Sequence, residues 1–294
     1  MMLTLQLIVD GLGKGAIFAA LGIAIVVTYR STGLVNFAQG ELATLSTMLT
    51  VALTGLGLPV WIALLVAVIA SFTAGAVVQF TLVRPIMNRP HLVTIMVMIG
   101  LYICANSLGE AVFGPTPRPL AQLFPAGSFD IGGIRISWAL VGVITLQAVV
   151  VLLLTTFFNR TRLGLGFRAV ATAPGPSRIV GIRVERMHVI GWGLAASVGA
   201  VAGVSLTNLS VYVDPQMMTT ILVYSLAAVT IGGFNSVTGA VVGGLIVGIV
   251  QSLISGLIPN FSGDAGILVA LVVIAAVLLA RPQGLFGREQ VARA

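Results

Sequence analysis

The sequence predicts an all-α integral membrane protein, a single permease-like domain over residues 1–294 with eight or nine transmembrane helices. Hydrophobic residues make up 58% of the 294 positions and charged residues only 8%, too few charges to cover a soluble globule of this size. Apolar runs of about 20 residues, the length that crosses the hydrocarbon, recur along the whole chain. No Lys or Arg precedes the first run, so we expect it to remain a helix rather than a cleaved signal peptide.

Short breaks rich in Gly, Pro and charged residues separate the apolar runs, and each run is a candidate helix. The seventh run is short, so it either spans the membrane or re-enters it from one side. The nine candidates cover residues 12–29, 36–56, 59–83, 92–113, 137–158, 188–209, 217–232, 237–258 and 265–280.

The charges predict the orientation of the bundle. With the N-terminus outside, Lys14, Arg118 and Arg135 are the basic residues on the outer side. The other twelve fall on the opposite side: Arg30, Arg84, Arg89, Arg160, Arg162, Arg168, Arg178, Arg183, Arg186, Arg281, Arg288 and Arg293. Cytoplasmic loops are enriched in Lys and Arg, so we expect an outer N-terminus and a cytoplasmic tail at 281–294. The net charge of +7 then reflects topology, and no nucleic-acid partner is predicted.

Residues 114–136 form the one long loop predicted outside. Its first half is rich in proline, and the segment FDIGGIRI alternates around Gly132 and Gly133 as a small hairpin does. Two interpretations stay open, a lid over the helix ends and a docking surface for an external partner.

The sequence contains no catalytic or metal-binding constellation, so we predict neither enzyme activity nor a bound cofactor. His91 and His188 are isolated, and Cys104 is the single cysteine, for which we expect a packing role. Gly13-Lys14-Gly15 is not a phosphate loop, because Ile8 stands where the motif needs its first glycine and Gly15 where it needs Ser or Thr. If ATP drives this protein, another subunit must bind it.

Glycine spacing predicts close helix packing, since helices in lipid associate through small residues. Three pairs are spaced by four, which places each pair on one helix face. We favour packing over gating for these residues: Gly199 and Gly203, Gly239 and Gly243, and Gly244 and Gly248.

Polar residues at the start of the second apolar run are candidates for a translocation pathway. Asn36 followed by Gln39 resembles a capping box, and Glu41 in the first turn would complement the helix dipole. Alternatively, a helix that begins inside the membrane presents these groups to a zwitterionic solute. Residues 233–244 faintly echo 33–44 and add Asn235 as a candidate, either through an old parallel repeat or by chance.

The stretch FRAVATAPGPSRIVGIRVERM at 167–187 interrupts the apolar chain with a basic, proline-broken segment. We predict one short helix over 166–173 that Pro174 stops, and another that Pro176 starts and Gly181 ends. Arginines interleaved with apolar residues suit either anionic membrane lipids or a groove on a partner protein.

Four motifs resemble those of permeases from the branched-chain amino acid ABC importers. They are LVNFAQGE, TRLGLGFRAVATAPGPSRIVGI, AAVTIGGFNSVTGAVVGGLIVG and RPQGLFG, which together run from near residue 11 to 288. Asn-Phe-Ala with Glu41 is similar to the shorter of the family's two paired permeases. This chain has Gln39 where the family usually has His, and Gly175-Pro176-Ser177 where an acidic residue and two alanines are common.

The resemblance implies an ATP-driven importer subunit in the bacterial inner membrane that moves leucine, isoleucine or valine, with urea and short amides as alternative solutes. Its implied partners are a second permease, two ABC ATPases and an extracytoplasmic solute-binding protein. Residues 159–187 would be the loop that docks into the ATPases, through Arg162, Gly164, Phe167, Arg168, Ala169, Ala171, Arg178, Gly181, Ile182 and Arg183.

A self-sufficient secondary transporter or channel is the alternative from another class. In that case the basic loop would anchor only to anionic lipid. It would need its own coupling site, such as a paired acid and base deep in the bundle, and the sequence presents no convincing pair.

Overall fold

The computed structural model describes residues 2–87, 89–210, 212–258, 264–281 and 284–286. Within these ranges the chain forms eleven α-helices and four short strands. The helices are α1 Met2–Thr32, α2 Gln39–Gly55, α3 Val60–Val78, α4 His91–Phe113, α5 Trp138–Arg160, α6 Arg162–Thr172, α7 Pro174–Ile179, α8 Val184–Ser210, α9 Met217–Gly232, α10 Val237–Leu257 and α11 Asp264–Ala280. The strands are β1 Arg118–Pro119, β2 Ser128–Ile131, β3 Ile134–Ser137 and β4 Tyr212–Val213.

The all-α, polytopic membrane class is confirmed, and a helix lies at each of the nine predicted positions. In the described part of the chain, six helices are long and apolar enough to cross a membrane, and α2, α9 and α11 are shorter. The largest boundary difference is in α1, which begins at Met2 rather than residue 12. The number of spans and the sides of the two termini stay predictions. Of the predicted tail, residues 282, 283 and 287–294 lie outside the described residues.

Helix α1 is the centre of the bundle. It is apolar around its whole circumference and buried almost continuously from Gly15 to Thr28, as expected for a helix enclosed by other helices. Helices α5, α8, α9 and α10 pack around it. The outer helices α3, α4, α5 and α11 instead expose many large apolar side chains, as a surface in contact with lipid does.

The paired glycines lie where helix backbones approach most closely. On α10, Gly243 packs against the backbone of Ala228 in α9, whereas Gly244 and Gly248 pack against Ala19 and Gly15 in α1. Gly239 meets Gly232 at the end of α9. On α8, Gly199 and Gly203 both face α2 through Ala43. Small residues on two faces of α10 thus allow α1 and α9 to contact it at the same time.

The predicted outer hairpin forms from β2 and β3, which pair in antiparallel register. Its two turn residues, Gly132 and Gly133, have φ values of 59° and 85°, and the tight two-residue turn requires positive φ at both positions.

The rest of this loop covers the helix ends. Leu120 and Leu123 are buried, the Leu123 backbone N–H donates to Asn208 Oδ1 over 2.7 Å, and β1 pairs with β4 after α8. These contacts favour a lid over a free docking surface. The β1–β4 pairing has no signal in the sequence, since each strand is two residues long.

Candidate functional site

Helices α6 and α7 are two short consecutive helices on the side of the bundle where the basic residues collect. Helix α6 begins at Arg162 rather than 166, because Thr161 Oγ1 caps it by accepting the Gly164 N–H over 3.0 Å. Pro174 follows the end of α6 and is also the first residue of α7. It occupies the first turn of α7, where its missing N–H costs nothing, so α7 begins two residues before the predicted Pro176.

One face of α6 is anchored in the bundle. Phe167 and Val170 are buried, and the Phe167 ring packs edge-on against Phe158 with their centroids 5.4 Å apart. Gly164 lies directly against the backbone carbonyls of Phe157 and Phe158 at the end of α5, where no larger side chain fits. Helix α6 is therefore attached firmly to α5.

The opposite face of the helix pair is exposed and both basic and apolar. Arg162, Arg168 and Arg183 are exposed, as is Arg178, which forms an ion pair of 3.2 Å with Glu185. Beside them Ile179 is 87% and Val180 is 74% exposed. Two such apolar side chains in a basic loop form a small surface suited to a partner.

The remaining predicted loop residues support this surface. Gly181 has a φ of +84°, which turns the chain from α7 towards α8. Ile182 is half-buried against the core, and Ala169 and Ala171 are half-buried on α6. All ten predicted loop residues thus belong to one structural unit.

The second candidate region is the non-helical segment between α1 and α2. Asn36 is not the N-cap of α2, because the helix begins three residues later, at Gln39, and its N-cap is Ala38 without a side-chain cap. The Asn36 side chain instead accepts the Ala38 N–H over 3.1 Å and donates to Gln39 Oε1 over 3.1 Å. The capping-box prediction is therefore wrong, since both amides stabilise the turn that precedes the helix.

This turn lies inside the bundle. Gln39 Nε2 donates to the carbonyl oxygen of Ala195 over 2.9 Å, and Ala195 lies eleven residues into α8. At 1.5 Å per residue, the start of α2 is about 16 Å along α8 from the beginning of that helix. Helix α2 consequently starts well within the depth of the bundle.

Glu41 is the one buried carboxylate in the part of the chain that the structure describes, with 1% of its surface exposed. Asn106 Nδ2 of α4 donates to its Oε2 over 3.0 Å, and Thr219 Oγ1 of α9 donates to its Oε1 over 2.9 Å. The carboxylate thus joins three helices through two neutral donors. Both hydrogen bonds to Glu41 in the described part of the chain come from neutral groups rather than from a cation.

Sequence reasoning missed Asn106 and Thr219. Asn106 carried a usable signal, because it is the only amide side chain of the mainly apolar α4, and polar groups inside membrane helices are costly. Thr219 carried no comparable signal in the sequence. Threonines are frequent in this chain, and most bond to a carbonyl of their own helix.

The four pathway candidates do not converge on one site. Asn36 and Gln39 bond to each other, whereas Glu41 bonds to α4 and α9. Asn235 is exposed in the loop that follows α9. Helix α9 ends at Gly232, thirteen residues beyond Thr219, so Asn235 lies at least about 20 Å from Thr219 along the helix axis.

Comparisons with known proteins agree with this architecture. The family model for the permease component of branched-chain amino acid transport systems matches residues 7–280. The high-affinity branched-chain amino acid permease protein LivH of Escherichia coli K12 is 27% identical over 303 residues, covering 98% of this chain and 96% of LivH. BraD of Pseudomonas aeruginosa is 25% identical over 300 residues, covering 98% and 97%.

A solved structure, PsaBC from Streptococcus pneumoniae in complex with Fab, superposes with a TM-score of 0.53 at 16% identity. It covers 93% of this chain and 91% of that one, and at this identity it bears on the fold alone. The match over residues 7–280 shows that the chain belongs to the branched-chain amino acid transport permease family and is a multi-pass membrane protein.

Proposed function

We propose that this chain is the membrane-spanning subunit of an ATP-driven importer for leucine, isoleucine or valine in the bacterial inner membrane. A second permease would complete the pathway, two ATPase subunits would bind ATP, and an extracytoplasmic protein would deliver the solute. The family and its relatives support branched-chain amino acids as the solute. We assign the coupling to the ATPases to the exposed surface of α6 and α7. We assign ATP binding to other subunits, since Gly13-Lys14-Gly15, the one segment of the sequence that resembles a phosphate loop, lies inside helix α1.

The exposed tip of α7 is the main argument for an ATPase partner. Burying Ile179 and Val180 against a groove removes apolar surface from water, and the neighbouring arginines add charge complementarity to an acidic rim. A lipid anchor would bury the same residues. The two cases differ in what co-purifies with the protein.

The anchored face explains how movement of the tip reaches the bundle. A side chain added at Gly191 of α8 would meet Ser31 of α1 and the ring of Phe167, so α6, α1 and α8 meet at this point without a gap. Closure of the ATPases would displace α6 and α7 as a unit. The rigid helices would convert this displacement into alternating access of a central pathway.

Within the pathway, Glu41 is the residue that we assign to the solute. A buried carboxylate without a cation is costly in a low-dielectric bundle, and the α-ammonium group of an amino acid would supply the missing charge. In the present conformation Asn106 and Thr219 occupy both carboxylate oxygens. Opening of α2 from α4 or α9 would release one oxygen for the solute.

The experiment compares Ile179→Asp with Ile131→Asp, two exposed isoleucines at opposite ends of the molecule. The protein is expressed with its genomic neighbours, purified through a C-terminal tag, and the ATPases recovered are quantified. A buried aspartate costs about 2 kcal/mol or more, so ATPase recovery should fall at least about tenfold for Ile179→Asp and stay unchanged for Ile131→Asp.

Reconstitution of the intact complex then tests the solute, with leucine, isoleucine, valine, urea and acetamide as probes. ATP-dependent uptake of the three amino acids supports the proposal. A protein that purifies alone and moves solute into liposomes without ATP would instead be a self-sufficient transporter with a lipid-anchored loop.

A further inference from the structure

An apolar cavity lies between α9, α10 and α11, on the far side of α9 from Glu41's partner Thr219. Its walls are mainly aliphatic and include Ile231, Ile246, Val250, Ile254, Ala270 and Val273. Ile246 and Val250 are each 40% exposed, so the cavity opens to the outer surface of the bundle. In a membrane protein that surface faces acyl chains rather than water.

The polar side chains that line this cavity are Tyr224 of α9 and Gln251 of α10. Lys14 Nζ of α1 donates to Gln251 Oε1 over 3.2 Å, and Gln251 Nε2 donates to Ser255 Oγ over 3.3 Å. Gln251 itself lines the cavity, as does Tyr224, whose ring stacks on Phe18 at 5.1 Å. A cation therefore lies one hydrogen bond away from the wall of a mainly apolar cavity.

No carboxylate in the described ranges forms an ion pair with Lys14. The nearest candidate, Asp10, lies one turn earlier on α1, and its Oδ1 accepts a hydrogen bond of 3.1 Å from Gln6. A lysine inside a membrane helix is costly unless it pairs with an anion or reaches water. The charge of Lys14 is not used by the coupling surface or by the Glu41 site.

Gln251 and its partner Lys14 lie beside the last two turns of α10. Gln251 lies six residues before the end of α10 at Leu257, which is about 9 Å along the helix axis. A lysine side chain at that depth extends its ammonium group towards the membrane interface. We expect lipid phosphates at this level of the bundle and acyl chains immediately below it.

We infer that this cavity and Lys14 together form a binding site for an anionic phospholipid. The ammonium group of Lys14 binds the phosphate, assisted by Gln251, and one acyl chain fills the cavity between α10 and α11. Helix α11 packs mainly against α9 and only weakly against α10, so the acyl chain also fills the gap beside it. The lipid belongs to the leaflet at the N-terminal end of α1.

The test is a lipid titration of the purified transporter complex by native mass spectrometry, with phosphatidylglycerol and phosphatidylcholine of identical acyl chains. One lysine near a membrane surface attracts an anionic lipid with about 1 kcal/mol, so the wild type should prefer phosphatidylglycerol about fivefold. Lys14→Gln should abolish this preference and Lys14→Arg should keep it. Asp10→Asn should increase it, because a repelling carboxylate is removed.

A second variant, Val250→Trp, places an indole in the cavity and should weaken binding of both lipids at this site. Because Lys14 and the cavity act on one lipid, adding Lys14→Gln to Val250→Trp should produce less than the sum of the two effects. An unchanged phosphatidylglycerol preference in the Lys14→Gln complex overturns the inference. So does additivity of the two variants, or cross-linking of residue 250 to the second permease.

Discussion

Gly248→Ala tests whether the contact between α1 and α10 is as close as the structure has it. A Cβ at residue 248 would lie 2.5 Å from the carbonyl oxygen of Gly11 and still closer to the backbone of Gly15. Real Cβ atoms do not approach other heavy atoms within 3.0 Å. All three obstructing atoms are backbone atoms of a helix, so no side-chain rotation relieves the overlap.

The magnitude follows from this geometry. Restoring an ordinary contact requires α1 and α10 to separate by about 1 Å, which weakens the dispersion contacts along their shared face. Overpacking of this kind costs about 1–3 kcal/mol. For a chain of this size each kcal/mol corresponds to about 2–4 °C, so the apparent Tm should fall by several degrees.

The matched control is Gly100→Ala in the middle of α4, where an added Cβ meets no atom within 4 Å. Alanine is a better helix former than glycine, so this variant should be neutral or slightly more stable. Both proteins are heated in detergent, and the fraction that stays monodisperse is measured by fluorescence-detected gel filtration. Equal Tm values for the two variants would show that α1 and α10 are less closely packed than the contact between Gly248 and Gly15 requires.

Two further changes address the pathway and the coupling surface. Glu41→Gln keeps the shape of the side chain, removes its charge and replaces one of its two acceptor oxygens with an N–H donor. Amino-acid uptake by the reconstituted complex should fall about tenfold or more while ATPase recovery is unchanged, and unaltered uptake kinetics would leave Glu41 a structural role only. Gly181→Pro replaces a residue with a φ of +84°, which proline cannot adopt, and should abolish ATP-dependent uptake while membrane insertion continues. Gly175→Ala, where an added Cβ meets no atom within 4 Å, is its control, and normal uptake by a well-inserted Gly181→Pro protein would contradict the coupling role.

The positions of the helices could be predicted from the sequence because the bilayer imposes one length on every span. The boundaries were less accurate where a local interaction decides them. Helix α6 starts at a threonine cap that the apolar pattern does not reveal, and α7 starts at a proline that also ends the helix before it. Proline is compatible with both roles, so the sequence alone did not separate them.

The Glu41 site could be predicted only in part. Its carboxylate stood out as an acidic residue in an apolar run, but its hydrogen-bond partners are 65 and 178 residues away along the chain. Which faces of α4 and α9 turn towards α2 depends on packing throughout the bundle. The contacts of Gly40 with Met218 and of Gly109 with Leu45 fix those faces, and neither contact has a local signature.

Helix α8 connects the two regions to which we assign function. Near its start, Gly191 packs against Ser31 and the Phe167 ring of α6; further along, the Ala195 carbonyl holds Gln39, and Gly199 and Gly203 receive α2. These contacts extend over twelve residues, about 18 Å of one uninterrupted helix. A displacement of α6 would therefore reach the start of α2 along α8, through the contact of the Phe167 ring with Gly191 and the hydrogen bond of the Gln39 side chain to the Ala195 carbonyl. Since Glu41 lies two residues beyond Gln39, the same displacement would strain its bonds to α4 and α9, and our proposal requires one of these bonds to break before Glu41 can bind the solute.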